Sequence, residues 1–179
     1  MLNATIYTFE IALADADRQV FEALSLRIAR HPSETEEYLW ARVLAYCLEY
    51  TDGITFGRGL SDPDEPAIAV RDLTGQLRAW IDVGVPDAAR LHKAAKAAPR
   101  VAVYTHRDPA LLLRALEGER IHRADALALY AFDRELVAAL VVRTARRMSF
   151  DLSVSGGHLY LSLGADTLSA EVRPLEIGP

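Results

Sequence analysis

The sequence predicts an α/β fold: a mixed central sheet flanked by helices, with an added antiparallel hairpin at the C-terminus. Three observations carry this expectation. Segments with apolar residues every three or four positions alternate with short apolar or alternating runs, the two periods that separate helices from strands. Over residues 33–106 these segments come in the order helix, three strands, helix, strand. The chain then closes on alternating runs around Gly156-Gly157, a hairpin-turn signal.

Taken in chain order, "ATIYTFEIAL" alternates and is rich in β-branched and aromatic residues, so it reads as a strand. "RQVFEALSLRIARH" is apolar every three or four positions and is expected to be a helix. Pro32 and Ser33 break the chain. "SETEEYLWARVLAYCLEY" then places Ser33 and Glu36 in capping-box spacing, which predicts a helix ending near Asp52-Gly53. "GITFGRGL", "PAIAVRD" and "LRAWIDVGV" read as a meander of strands, the last two joined through "DLTGQ". Asp87 is positioned to cap the helix "DAARLHKAAKAA", and Pro99 separates it from the nearly continuous apolar strand "RVAVYTH". "DPALLLRALEG" reads as a helix and "ALALYAFD" as a short strand, whereas "RELVAALVVRTAR" suits either. No repeat, low-complexity stretch or linker interrupts the chain, so a single domain over 1–179 is expected.

Length and composition bound the function. A chain of 179 residues, 51% of them hydrophobic, suits about one domain with a sizeable core. The net charge of −5 argues against a surface coated in basic residues for sequence-blind duplex binding, although it leaves room for a local basic site. Cys47, the single cysteine, rules out an intramolecular disulfide and reads as a buried small hydrophobe, which fits a reducing compartment. With no basic leader and no run near ~18 apolar residues, a cytoplasmic protein without a membrane partner is expected. The histidines at 31, 92, 106, 122 and 158 show no metal-ligand spacing on one helix, which argues against zinc. Arg143, Arg146 and Arg147 form a basic cluster that reads as the solvated end of an apolar segment.

Asp82 raises the sharpest question. It sits within the apolar "LRAWIDVGV", where an ionised carboxylate costs several kcal/mol unless it is paired, hydrogen-bonded or metal-bound. Period-two alternation puts Leu77, Ala79, Ile81, Val83 and Val85 on one face and Arg78, Trp80, Asp82 and Gly84 on the other. The turn before "AIAV" carries Asp62, Pro63, Asp64 and Glu65, and a hairpin would set residues 64–68 opposite residues 80–84. Carboxylates brought together in this way repel one another and invite Mg²⁺ or Mn²⁺. Alternatively Arg71, Arg78 or backbone amides hold Asp82. On the next helix Leu91, Ala94, Ala95 and Ala98 share a face, Lys93 points away from it and Arg90 lies at its boundary. On the first helix the stripe of Trp40, Val43, Leu44 and Cys47 projects back to Glu36 and Glu37, while Glu34 lies roughly 120° from its centre. Glu37 is therefore the geometric choice for a site, Glu36 having capping to do.

The stretches "RHPSETEE", "GLSDPDEP" and "WIDVGVPDAARLHKA", with the chain length and strand order, resemble the YaeQ family of small bacterial proteins over nearly the whole chain. The resemblance implies a PD-(D/E)xK nuclease-like fold with a restriction-endonuclease-like core at about 33–106. In that superfamily an Asp begins the second strand, (D/E)-x-K lies on the third, and an acidic residue often comes from the first helix. Carried over, the pattern places Asp64, with Glu65 beside it, and Asp82 at the acidic positions. Gly84 stands where the lysine is expected, a departure that removes the group that positions the attacking water. Lys93 is the candidate replacement, recruited from the following helix. Glu34, in the family-like "HPSET" stretch, is a second choice beside Glu37. The resulting expectation is metal-dependent hydrolysis of nucleic acid phosphodiesters, with Asp64, Asp82, Lys93 and Glu37 catalytic and Asp64, Glu65, Asp82 and Glu34 holding Mg or Mn. The alternative, motivated by Gly84 and the acidic net charge, is a non-catalytic protein of nuclease fold that acts as a nucleic-acid or protein interaction module. Nucleic acid is the expected partner, and nothing in the sequence calls for more than a monomer.

Overall fold

The computed structural model describes residues 3–58 and 62–178. The chain opens with a long hairpin, β1 (Thr5–Asp15) and β2 (Val20–Arg30), turned at Gln19 in the left-handed region, φ 58°. Residues 18–31, expected to be helical, are therefore mostly strand. Val20, Phe21, Leu24 and Ile28 satisfy a helical stripe, but Leu24, Leu26 and Ile28 are the residues buried, alternating with exposed Ser25, Arg27 and Ala29. Pairing with β1 along the whole strand, from Asp15↔Val20 to Thr5↔Arg30, decides between the two periods.

Helix α1 (Glu36–Leu48) follows. Its N-cap is Thr35, whose hydroxyl accepts from Tyr38 N–H at 3.1 Å, and not Ser33 as the capping-box spacing predicts. Ser33 instead sits with its hydroxyl 2.7 Å from His31 Nδ1, in a turn closed by Glu34 N–H on His31 C=O. That turn delays the helix by two residues and buries Glu34. The meander is β3 (Ile54–Phe56), β4 (Ile68–Arg71) and β5 (Leu77–Val83). Helix α2 (Ala88–Ala97) is capped by Asp87, which accepts from Arg90 N–H at 2.8 Å. Beyond it lie β6 (Arg100–Thr105), α3 (Pro109–Leu116), β7 (Ala128–Ala131) and α4 (Arg134–Val142). The segment that suits either period is thus a helix, started by the Asp133 cap on Leu136 N–H. The chain ends in β8 (Arg147–Ser155), β9 (His158–Leu163), β10 (Asp166–Glu171) and β11 (Arg173–Leu175).

These strands build two sheets, in the orders β10-β9-β8-β1-β2 and β11-β7-β6-β5-β4-β3. In the first, β1 runs parallel to β8; in the second, β5, β6 and β7 are mutually parallel. Helices α1 and α4 lie in the core between the sheets, where Phe9, Trp40, Ile81, Leu140 and Phe150 join one apolar cluster. Helices α2 and α3 cover the opposite face of the second sheet through Trp80, Leu91, Val103 and Leu112. Strand β5 is therefore buried on both faces: Ala79, Ile81 and Val83 look toward α1, and Trp80 toward α2. The alternation expected for this strand holds, and it turns Asp82 toward α2. Among the described residues no helix is long and apolar enough to cross a membrane.

Candidate functional site

A cleft of about 400 Å³ opens at the carboxyl ends of the parallel strands β5 and β6, where open α/β sheets commonly hold ligands. The start of α1 forms one wall, and the Gly84-Val85-Pro86 exit from β5 forms the other. Glu34, Tyr38, Asp82, Arg90, His106 and Arg107 bring polar groups to it.

Asp82 is compensated by a cation. Its side chain is only 3% exposed, and Arg90 grips it with a guanidinium fork, Nε on Oδ2 at 2.7 Å and Nη2 on Oδ1 at 3.0 Å. The Ala67 N–H adds a longer bond to Oδ1 at 3.3 Å. Neither Arg71 nor Arg78 takes part. The remaining reach of Arg90 goes to two backbone carbonyls of the acidic turn, Asp62 from Nη1 at 3.3 Å and Glu65 from Nη2 at 2.7 Å. Four of its five N–H groups are thereby engaged. The plane of the group rests 5.2 Å from the Trp80 ring centroid, and its hydrogen bonds to Asp82 push the arginine pKa further up.

Three of the other expected carboxylates, Asp64, Glu65 and Glu34, each have a cation of their own. Asp64 forms an ion pair with Lys93. The lysine stays 53% exposed, as its place off the buried stripe of α2 predicts, but its long stem reaches the turn from the surface. Arg90 and Lys93, three residues apart, so fasten one edge of α2 to residues 62–65. Glu65 Oε1 lies 4.0 Å from Arg58 Nε, both of them wet. Glu34 is buried and bound by Arg42 Nη2 at 2.8 Å, and that nitrogen also donates to Ala29 C=O at 3.0 Å. Glu37 is half-buried and does not line the cleft.

As arranged, these residues do not fit Mg²⁺ or Mn²⁺. Asp82 has given both oxygens to a guanidinium, and among the described residues no three His, Cys, Asp or Glu side chains come together as a metal cage. The glycine at position 84, where the resemblance leads one to expect a lysine, has a conformational reason. Gly84 stands at φ +95°, a region that side-chain-bearing residues rarely adopt, in the bend that turns the chain out of β5. A Cβ there would approach only His106 Cε1, at 3.9 Å.

Several groups at the cleft escaped sequence reasoning. His106 is edge-on to Tyr38 at 6.1 Å, its Nδ1 is buried without a partner, and burial with Arg107 alongside pulls its pKa below 6.5, against a smaller opposing effect of Glu37. Burial pushes the Tyr38 phenol up to about 12, so it remains a neutral donor. Arg107 is exposed and, among the described residues, has no carboxylate partner within ion-pair distance. Only Arg90 left a trace in the sequence, as the basic residue at the boundary of the apolar stripe of α2. Far from the cleft, Glu49 at the end of α1 accepts from Arg100 Nη2 and Tyr104 Oη, each at 2.7 Å, which ties α1 to β6. Of the basic cluster, Arg143 pairs with Asp166 at 3.1 Å and Arg146 Nε donates to Ile6 C=O at 3.2 Å.

Comparison with known proteins places this geometry among relatives. The family model described as "YaeQ protein" matches residues 1–172. A protein of Escherichia coli (strain K12) named "Uncharacterized protein YaeQ" is 35% identical over 164 residues, covering 90% of each chain. A Salmonella typhi protein of the same name is 31% identical over 172 residues, covering 96% of this chain and 95% of its own. The crystal structure of a YaeQ protein from Pseudomonas syringae superposes with a TM-score of 0.85 at 31% identity, covering 96% of both chains. That from Xanthomonas axonopodis pv. citri gives 0.85 at 30% identity, covering 98% of this chain and 99% of its own.

Proposed function

This chain belongs to the YaeQ family, and within it we propose a non-catalytic protein on a nuclease-like core, acting as a module that holds single-stranded nucleic acid in the cleft between α1 and the ends of β5 and β6. One observation carries the reading: the guanidinium of Arg90 occupies both oxygens of Asp82, the place where a hydrolytic metal would have to sit. What remains accessible suits binding. Arg107 supplies an uncompensated cation for a phosphate, the adjoining Tyr38 and His106 rings supply surfaces for bases, and Gly84 leaves the backbone open to close approach. The acidic net charge is consistent with a local contact of this kind. The order α1, β3, β4, β5, α2, β6 is the order expected of a PD-(D/E)xK core and supports the nuclease-like part of the reading.

A second reading, metal-dependent phosphodiester hydrolysis, is favoured by the Lys93–Asp64 pair, because a lysine on α2 does meet the acidic turn. It requires that Arg90 release Asp82 when a metal arrives. The two readings separate in one set of measurements on the intact chain. Single-stranded oligonucleotides, titrated by fluorescence anisotropy, are expected to bind the wild type and to bind Arg107→Glu about tenfold more weakly. Single- and double-stranded DNA and RNA incubated with Mg²⁺ or Mn²⁺ are expected to remain intact. Cleavage that disappears in Asp82→Ala would establish the second reading, and undiminished binding by Arg107→Glu would remove the first.

A further inference from the structure

A second cavity, of about 510 Å³, is lined by His92, Lys96, Arg120, Ile121 and His122. Four of these five residues are basic, and no carboxylate lines the cavity. Among the described residues, Lys96 and Arg120 have no acidic partner within ion-pair distance, unlike Arg90 and Lys93 earlier on α2. Two exposed cations held beside two imidazoles, with no carboxylate in the lining, form a local positive field in a chain of net charge −5.

The arrangement is held by the backbone. His122 N–H donates to His92 Nδ1 at 2.9 Å, so a neutral His92 carries its proton on Nε2 and is left as a donor. Arg123, in the left-handed region at φ 49°, sends Nη2 to the carbonyls of Ala95 at 2.7 Å and Ala98 at 3.0 Å. These bonds lock the loop carrying Arg120 and His122 onto the last turn of α2, where Lys96 projects. The cationic groups are thus gathered before any ligand arrives, which reduces the ordering cost of binding.

We propose that this cavity binds a phosphate group through Lys96, Arg120 and the two imidazoles. The planar fork of Arg120 suits two phosphoryl oxygens, and Lys96 adds a point charge. The group could belong to a small phosphorylated molecule or to a nucleic-acid strand, since the shared chemistry is a tetrahedral oxyanion. The proposal is independent of the cleft reading: none of these residues lines the cleft.

The test is calorimetric titration of the intact chain at low salt with pyrophosphate, with a 5′-phosphorylated single-stranded oligonucleotide, and with its unphosphorylated twin. Because Arg107 is itself a phosphate contact in the cleft reading, each titration is made in the Arg107→Glu background, where adding Lys96→Gln and Arg120→Gln is expected to weaken pyrophosphate by at least about tenfold at an unchanged melting temperature. Preference for the terminally phosphorylated strand identifies a small phosphorylated ligand, and equal binding of both strands, lost on adding Lys96→Gln and Arg120→Gln, identifies the nucleic-acid backbone. No saturable heat from any probe at millimolar concentration in the Arg107→Glu background, or equal affinities with and without Lys96→Gln and Arg120→Gln there, overturns the proposal.

Discussion

Replacing Arg90 by Met keeps the stem of the side chain against Trp80 and removes the guanidinium. Asp82 would then be left at 3% exposure with a single long bond from Ala67 N–H. Removing one partner of a buried ion pair costs about 3–5 kcal/mol. Arg90 is itself 25% exposed, so water can partly replace it, and the lower end, about 3 kcal/mol, is the expected loss. For a chain of this length that corresponds to a fall in Tm of roughly 6–12 °C. Urea unfolding followed by tryptophan fluorescence at neutral pH reads the change. The double variant Asp82→Val, Arg90→Met removes both charges together and should return to within about 1 kcal/mol of wild type, about 2 kcal/mol above Arg90→Met alone. A single variant within about 0.5 kcal/mol of wild type would refute the claim that Arg90 is what makes Asp82 tolerable.

Four further outcomes follow from other parts of the molecule. Glu34→Ala should lose about 3–5 kcal/mol in urea unfolding, because Arg42 is left buried and uncompensated, while an effect below about 1 kcal/mol would show that water reaches that guanidinium. Because the folded His106 has a pKa below 6.5, the unfolded chain binds more protons between the two values; stability is therefore complete above 6.5 and is lost as the pH falls from there, and melting curves of His106→Gln should be less sensitive to that descent than those of wild type. Gly84→Ala should cost about 1–2 kcal/mol from backbone strain alone, since the added methyl finds open space, and a larger loss would point to a clash. The Cys47 thiol, pushed up to about 12 by burial, should resist a thiol-specific reagent in the native protein and react promptly in urea.

The elements that could be read from the sequence are those whose signals are local. Asp87 caps α2, Asp108 caps α3, and the apolar run from Val101 to Tyr104 is β6 wherever it is placed. Strand β2 failed that test because its residues satisfy two periods at once, and only pairing with β1 chooses between them. The cap of α1 was displaced because Ser33 and Glu36 have the right spacing, whereas the buried Glu34–Arg42 pair dictates where the turn ends. At the candidate site, the need for a counter-charge on Asp82 was legible, because burial follows from the neighbours of the residue. The identity of that counter-charge was not: it depends on how far an arginine stem on α2 reaches across the edge of the sheet. Gly84 likewise reads in sequence as a lost lysine and in three dimensions as a backbone requirement.

The parallel pairing of Thr8 with Arg147 has a consequence for biosynthesis. The first strand leaves the ribosome long before the neighbour that completes its second edge has been translated, an interval on the order of ten seconds at ordinary elongation rates. Throughout it the opening hairpin presents Phe9, Ile11 and Leu13 with half of their eventual shelter missing. A stop codon ahead of Arg147 should therefore yield inclusion bodies in place of a smaller folded product.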